Sequence, residues 1–137
     1  PLPLTSILFE KLGVKRITNI DNQLSSLRLG EHVSRSLNGE STSRVHSYAS
    51  AMTADYSTFD VIVVAALVGD EAEKMTILSH IAKSSKPGAI IAARSVPDDG
   101  RQLLYPRVTD IPSGLRLIME TVPPDGVVNS LVIMKTA

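Results

Sequence analysis

The sequence predicts an α/β fold whose sheet is mostly parallel and closes with an antiparallel C-terminal hairpin. Continuous apolar runs at Val61–Leu67 and Ala89–Ala93 are typical of strands that are buried on both faces of a parallel sheet. A helical pattern lies between these runs, over Asp70–Lys83. The last two apolar runs are separated only by Pro123–Gly126, which predicts the hairpin. Strand–helix alternation of this kind favours a layered sheet with right-handed crossovers.

The first half of the chain is predicted to alternate helices with short strands. Asp21-Asn22 begins a turn after the first strand, and Asn38-Gly39 stops the second helix. The predicted elements are a helix from Leu4 or Thr5 to Gly13, a strand over Lys15–Ile20, a helix over about Ser25–Leu37 and a weaker strand near Arg44–Tyr48.

The second half carries the clearest helix signal. Asp70 and Glu73 form the pattern of a capping box, with acidic residues in the first turn. Pro87-Gly88 ends this helical region. The strands predicted around the helix are Val61–Leu67, Ala89–Ala93, Leu115–Val122 and Val127–Met134.

The sheet is expected to lack its first central strand. A doubly wound fold opens with a strand at the sheet centre, whereas this chain opens with a helix almost at its first residue. The strands near Lys15–Ile20 and Val61–Leu67 would flank the absent strand, and their inner edges would be unpaired. We therefore predict one incomplete domain over residues 1–137, completed by a segment before Pro1 or by a second copy in a homo-oligomer. The isolated chain is not expected to be a stable, active monomer.

Composition excludes several classes of function. Lys plus Arg is 14 and Asp plus Glu is 14, so the formal net charge is zero and no basic surface is predicted for nucleic acid or anionic lipid. No apolar run reaches the roughly 20 residues of a membrane span. The sequence contains no Cys, which removes disulfides, thiolate metal ligands and a Cys nucleophile. This fits a reducing compartment, and we expect a cytoplasmic protein.

Common site motifs are missing. The glycines are too far apart for a dinucleotide loop or a P-loop. His32, His46 and His80 lie on different predicted elements without metal-ligand spacing, so no metal site is predicted.

Asp21 and Arg94 are the polar residues whose positions suggest ligand contacts. Asp21 follows the first predicted strand, where an acid can accept hydrogen bonds from ribose hydroxyls or simply begin a turn. Arg94 follows the Ala89–Ala93 run and can hold a carboxylate in a bidentate fork or form a surface salt bridge. Tyr105 precedes Pro106 in an apolar context, so packing is its default role.

Several segments together resemble the nicotianamine synthase family. They occur in the family's order along nearly the whole chain, and the combination of AALVG, LYP and VVNS is more specific than any one of them. The matching segments are Pro1–Leu8, Asn19–Asp21, Phe59–Val61, Ala65–Gly69, Lys86–Ala89, Arg94-Ser95, Leu104–Pro106 and Val127–Ile133.

The resemblance implies a methyltransferase-like Rossmann domain that binds S-adenosylmethionine. The family transfers aminopropyl-carboxylate groups from S-adenosylmethionine to amines, releases methylthioadenosine and builds metal-chelating amino acids. The family's glycine loop and the preceding helical domain have no counterpart here. In the family they supply much of the acceptor pocket.

The resemblance also implies residue roles. Asp21 would bind the ribose hydroxyls, Leu2 and Thr5 would lie by the methionine moiety, and Ser50 would replace an acid near the adenine. Arg94 and Tyr105 would face the acceptor amine, with Tyr105 as the weak catalytic candidate. Val96-Pro97 stands where the family often has Ala-His. The residues implied to line the cofactor after the fourth strand of the complete fold are Ala65, Ala66 and Leu67.

Two other functions fit the same fold. One is an ordinary small-molecule methyltransferase, which would release S-adenosylhomocysteine. The other is a catalytically inactive fragment or assembly module. One fold hosts many chemistries, so the fold alone does not choose between them.

Overall fold

The computed structural model describes residues 4–38, 44–97, 105–122 and 130–137. Its helices and strands fall into two compact units, Pro1–Ala54 and Asp55–Ala137. The elements of the first unit are α1 (Leu4–Lys11), β1 (Ile17–Asp21), α2 (Leu24–Asn38) and β2 (Arg44–Tyr48). Those of the second are β3 (Val61–Val64), α3 (Glu71–Ser84), β4 (Ile90–Ser95), β5 (Leu115–Thr121) and β6 (Ser130–Thr136).

The first unit is built on a parallel pair of strands. β1 and β2 pair from Ile17 opposite Arg44 to Asp21 opposite Tyr48. α1 and α2 both lie against β1, and α2 also contacts β2. A parallel pair needs a crossover between its strands, and α2 provides it. The helix and strand order therefore agrees with the predicted one.

A buried ion pair joins elements of the first unit. The Arg44 side chain at the start of β2 is only 4% exposed, and its Nη1 lies 2.9 Å from Oε2 of Glu10 in α1. The contact is ionic and lacks hydrogen-bond geometry. Arg44 Nη2 also donates a hydrogen bond to the carbonyl oxygen of Ser34 in α2, at 3.4 Å. Arg44 thus connects α1, β2 and α2.

The second unit contains a mixed sheet. Within the described residues it has four strands in the order β3-β4-β6-β5. β3 and β4 are parallel, whereas β6 is antiparallel to both β4 and β5. Only β6 therefore runs against the other strands of this described sheet, which confirms the predicted mostly parallel arrangement and the C-terminal hairpin. The turn predicted over Pro123–Gly126 lies outside the described residues.

The start of α3 confirms the predicted capping box. The Glu73 amide donates to Asp70 Oδ1 at 2.8 Å, and the Asp70 amide donates to Glu73 Oε2 at 3.0 Å. Gly69 precedes this box with φ of +60°, and a Cβ there would lie 2.6 Å from the Glu73 Cβ. Glycine is therefore required both by the left-handed backbone and by the close approach of Glu73. The buried residues of α3 are Lys74, Ile77, Leu78 and Ile81.

The prediction that the Val61–Leu67 run is a strand buried on both faces is wrong. β3 ends at Val64, where its pairing with β4 ends. Ile62 and Val64 are buried on one face, whereas Val61 and Val63 on the other face are 55% and 38% exposed. Successive residues of a strand point to opposite faces, so a run of apolar residues does not by itself show that both faces are covered.

Both parallel strand pairs have an open edge. Among the residues that the structure describes, β1 pairs only with β2, and β3 pairs only with β4. These are the edges that the predicted absence of a central strand leaves unpaired. The assignment of residues 1–137 to one incomplete domain stays a prediction. Across the described ranges, no helix has the length and apolar character that a membrane crossing requires.

We expect Glu10→Gln to destabilise the first unit by about 3 kcal/mol, because removing one partner of a buried pair leaves the other charge desolvated and unpaired. Urea unfolding of the natural full-length protein measures this change. Glu31→Gln is the matched control, since Glu31 and Arg35 pair at 2.9 Å with side chains 51% and 59% exposed. Exposed pairs contribute about 0–1 kcal/mol. Equal effects of the two substitutions would show that Arg44 does not need Glu10.

Candidate functional site

Asp21 and Ser50 lie at the same edge of the first unit, at the carboxyl ends of β1 and β2. Asp21 is the last residue of β1, and its Oδ1 accepts a hydrogen bond from the Gln23 amide at 2.8 Å. The Ala49 amide donates to the Asp21 carbonyl at 3.2 Å, which brings the residue before Ser50 against Asp21. The carboxyl ends of strands are where ligands bind in open α/β sheets.

The local roles of these two residues differ. The Asp21 carboxylate uses one oxygen in the turn that leads to α2, and an ionised carboxylate has a second oxygen that accepts hydrogen bonds. The Ser50 hydroxyl accepts from the Met52 amide at 3.2 Å, so it stabilises the turn that follows β2. Asp21 therefore has the turn role that the sequence left open. That role uses only one carboxylate oxygen, so it does not conflict with hydrogen bonds from ribose hydroxyls to the other.

The remaining predicted cofactor residues of the first unit are Thr5 and Leu2, of which the structure describes Thr5. It is exposed in the first turn of α1. Leu2 lies outside the described residues. The predicted roles of Thr5 and Leu2 beside a methionine moiety stay predictions.

Ala65, Ala66 and Leu67 form the loop that follows β3 in the second unit. Ala66 is buried, whereas Leu67 is 73% exposed. Arg94 is an exposed residue near the end of β4, and Tyr105 is half-buried in the segment that precedes β5. The loop of Ala65, Ala66 and Leu67 directly follows the carboxyl end of β3, and Arg94 lies at that of β4, whereas Tyr105 comes later in the chain, before β5.

Lys74 brings the backbones of these positions together. The side chain is fully buried, and within the described residues its Nζ donates hydrogen bonds to three backbone carbonyls. The acceptors are the carbonyl oxygens of Ala66 at 2.9 Å, Arg94 at 3.0 Å and Pro106 at 2.9 Å. We call this arrangement the Lys74 junction. It fixes the loops that carry the predicted cofactor and acceptor residues of this unit.

Sequence reasoning missed Lys74, although a signal was present. Lys74 lies three and four residues before Ile77 and Leu78, and seven before Ile81, so it belongs to the buried face of α3. A lysine on such a face is rarely fully buried unless its ammonium has partners. The pattern thus indicates a buried polar contact, but it does not identify the carbonyls that accept.

Burial lowers the pKa of Lys74 to about 8, because loss of hydration disfavours the charged form. The hydrogen bonds to carbonyl oxygens act in the opposite direction, since they stabilise the ammonium. Near neutral pH the group is mostly protonated. An ammonium has three N–H donors, which matches the number of carbonyls at the junction.

The histidines do not form a site in the described parts of the chain. His80 packs edge-on against Tyr56, with ring centroids 5.8 Å apart. No group of three or more His, Cys, Asp or Glu side chains in these parts is arranged to hold a metal ion.

Comparison with known proteins gives the family. A family model described as "Nicotianamine synthase protein" matches residues 1–137. The chain belongs to the nicotianamine synthase family. One curated relative, nicotianamine synthase 3 of Arabidopsis thaliana, is 33% identical over 147 residues, which cover 98% of this chain and 44% of that protein. The chain therefore spans less than half the length of this relative of the nicotianamine synthase family.

Solved structures show the fold. A mutant of MtNAS in complex with S-adenosylmethionine matches with a TM-score of 0.83 and 24% identity, over 100% of this chain and 51% of that one. MtNAS has also been solved in complex with MTA and tNA. The N-methyltransferase NodS from Bradyrhizobium japonicum, in complex with S-adenosyl-L-homocysteine, matches with a TM-score of 0.66 and 17% identity, over 93% and 71% of the two chains. This member of the nicotianamine synthase family has the predicted methyltransferase-like α/β fold.

The buried ammonium predicts a pH dependence of stability. The pKa of Lys74 is about 8 in the folded protein, against an ordinary value of 10.5. Between these values the unfolded state binds more protons, so the free energy of unfolding rises with pH, by an amount on the order of 3 kcal/mol in total. Lys74→Met removes this rise. Denaturant unfolding at several pH values from about 7 to about 11 measures this rise in the free energy of unfolding.

The quantity compared is the difference in unfolding free energy between wild type and variant, since other groups titrate equally in both. Lys83→Met removes an exposed lysine from the same helix and serves as the control. Parallel curves for wild type and Lys74→Met would show that the ammonium does not lose its hydration on folding.

Proposed function

We propose that this chain is the S-adenosylmethionine-binding part of an enzyme that transfers 3-amino-3-carboxypropyl groups from S-adenosylmethionine to an amine. The product would be a metal-chelating amino acid, as in nicotianamine synthases. The observation that carries the proposal is the position of Asp21 at the carboxyl end of β1, in a chain that matches the nicotianamine synthase family over residues 1–137. The likeness to MtNAS, solved with S-adenosylmethionine, supports it.

The proposed reaction is displacement at a carbon attached to the sulfonium. The nitrogen of a neutral amine forms a bond to the first carbon of the aminocarboxypropyl chain. The bond from that carbon to sulfur breaks, and its electron pair stays on sulfur, which leaves neutral methylthioadenosine. The amine proton passes to a general base. Three carbons of the sulfonium are open to attack, so positioning decides which group is transferred.

In this proposal the first unit holds the nucleoside. The free acceptor oxygen of Asp21 binds the ribose hydroxyls, and Ser50 at the neighbouring strand end lies near the adenine. Thr5, in the first turn of α1, lies by the methionine moiety, where the amides of a helix start favour a carboxylate. The role that the resemblance implies for Leu2 beside the same moiety is proposed with it. For the second unit, taken by itself, the loop of Ala65, Ala66 and Leu67 is proposed as a cofactor contact.

The acceptor side is proposed to involve Arg94 and Tyr105. The Arg94 side chain is exposed at the end of β4, so its guanidinium is available for a substrate carboxylate. The Tyr105 hydroxyl is proposed to hydrogen-bond the acceptor amine. The carbonyls of Arg94 and Pro106 accept hydrogen bonds from the same Lys74 ammonium. Arg94 and the segment that contains Tyr105 are therefore joined through one side chain.

We further propose that the open edges of β1 and β3 are paired in the active protein. The supporting observation is that both strands are parallel-sheet strands with one partner each within the described residues. Buried backbone groups need hydrogen-bond partners, so either another segment or a second copy supplies them.

The absence of Cys from the sequence supports a cytoplasmic location for this protein.

Asp21→Ala is expected to weaken S-adenosylmethionine binding by roughly 1.5–3 kcal/mol, which is the range for a hydrogen bond to a charged group. Titration calorimetry on the natural full-length protein measures the affinity. Asp55→Ala is the matched control, because Asp55 Oδ1 accepts from the Ser57 amide at 2.9 Å in the same kind of turn.

Asp21→Asn separates the two roles of the side chain, since the amide oxygen keeps the turn but the charge is lost. We expect it to bind S-adenosylmethionine more weakly than the wild type. If Asp21→Ala and the Asp55 control bind equally well, Asp21 is not a cofactor residue.

The reaction type is tested by its product. We expect the full-length protein to release methylthioadenosine, identified by mass spectrometry after incubation with S-adenosylmethionine. The second candidate is a methyltransferase, which the likeness to NodS favours, and it would release S-adenosylhomocysteine instead. Release of S-adenosylhomocysteine alone would replace the proposal by this candidate, and release of neither product would favour the assembly module.

A further inference from the structure

The segment Tyr105–Val108 has neither helix nor strand, yet two buried side chains hold it. Lys74 Nζ donates to the Pro106 carbonyl at 2.9 Å, and the Val108 amide donates to Ser95 Oγ at 2.9 Å. Lys74 and Ser95 are 0% and 2% exposed. The two hydrogen bonds lie two residues apart on one short stretch of backbone.

These two bonds constrain the segment more than their number suggests. Irregular segments are usually mobile because few of their backbone groups are fixed. Here a carbonyl and an amide of the same stretch are both held by groups away from water, where hydrogen bonds are electrostatically stronger. Lys74 also holds the carbonyl of Arg94, the residue before Ser95. The segment is thus joined to the end of β4 directly through the Ser95 side chain, and indirectly through Lys74, which also binds the Arg94 carbonyl.

We infer that Lys74 and Ser95 are positioning residues that hold Tyr105–Val108 against the carboxyl end of β4 and thereby set the place of Tyr105 on the acceptor side of the proposed site. The inference rests on the proposed function for the role of Tyr105. Neither Lys74 nor Ser95 is exposed to a ligand, so neither is a catalytic residue.

Ser95→Ala tests the inference with a small change, since it removes one hydroxyl and one of the two bonds. Hydrogen exchange in the full-length protein is expected to speed up about 10-fold at the Val108 amide, which corresponds to the loss of about 1.4 kcal/mol of protection. Ser95→Thr keeps a hydroxyl and is expected to restore protection to within about twofold.

Ser79→Ala is the matched control, because the Ser79 hydroxyl donates to the Met75 carbonyl within α3. It removes a hydroxyl from the same unit without touching the segment. It is expected to leave exchange at Val108 and product release unchanged.

The functional readout separates positioning from general stability. With S-adenosylmethionine as the only added substrate, whose own α-amino group can act as the amine, Ser95→Ala is expected to lower methylthioadenosine release about fivefold at saturation. The dissociation constant for S-adenosylmethionine is expected to stay within about twofold, because Ser95 does not hold the Ala66 loop. Recovery of turnover in Ser95→Thr is required by a positioning role.

Lys74→Met is the second variant, and it frees the carbonyls of Ala66, Arg94 and Pro106. It is expected to weaken S-adenosylmethionine binding as well as turnover. If Lys74→Met does not fold, the comparison of Ser95→Ala with Ser95→Thr decides whether the inference holds. Unchanged exchange at Val108 in Ser95→Ala, or unchanged turnover despite faster exchange, would overturn the inference. A wild-type protein that binds no S-adenosylmethionine would refute the proposed function, while hydrogen exchange would still test whether Ser95 holds the segment.

Discussion

The buried ammonium of Lys74 is the interaction on which the second unit depends. Moving such a charge out of water costs several kcal/mol, and no carboxylate in the described residues lies against it. Charge-assisted hydrogen bonds to carbonyl oxygens offset part of that cost, and the lowered pKa of Lys74 reflects the part that remains. The same bonds satisfy carbonyls that irregular loops would otherwise bury without partners. One helical side chain therefore makes it possible for loops near the ends of β3 and β4, and before β5, to pack together.

The sequence predicted the elements whose signals are local. The capping box of Asp70 and Glu73 places the start of α3 because its hydrogen bonds span only three residues. The residue at which a strand stops pairing, by contrast, depends on residues far away along the chain. The apolar run Val61–Leu67 continues past Val64, but its pairing with β4 stops at Val64 opposite Ala93, although β4 itself continues to Ser95. Coverage of a sheet face is equally non-local, so the run could not show that one face of β3 is open.

The same distinction applies to the candidate site. Asp21 was predicted to follow a strand, and the resemblance implied a role near the adenine for Ser50. The parallel pairing of β1 with β2, which brings these two residues to one edge, is seen only in the structure. Lys74 was missed because its acceptors lie 8, 20 and 32 residues away along the chain. The sequence contains a lysine on an apolar helix face, but only the folded backbone shows which carbonyls surround it. Family resemblance transferred roles to side chains and gave no information about this backbone contact.

The open face of β3 has a consequence for how stability is measured. Val61 and Val63 expose apolar surface that water does not stabilise. Anything that covers this face in the folded state, and not in the unfolded chain, shifts the folding equilibrium by mass action. If the cover is a separate chain, the melting temperature rises with protein concentration. If the cover is covalently attached, the melting temperature does not change with dilution. In both cases the stability of the second unit depends on whatever covers β3 as well as on the unit's own residues.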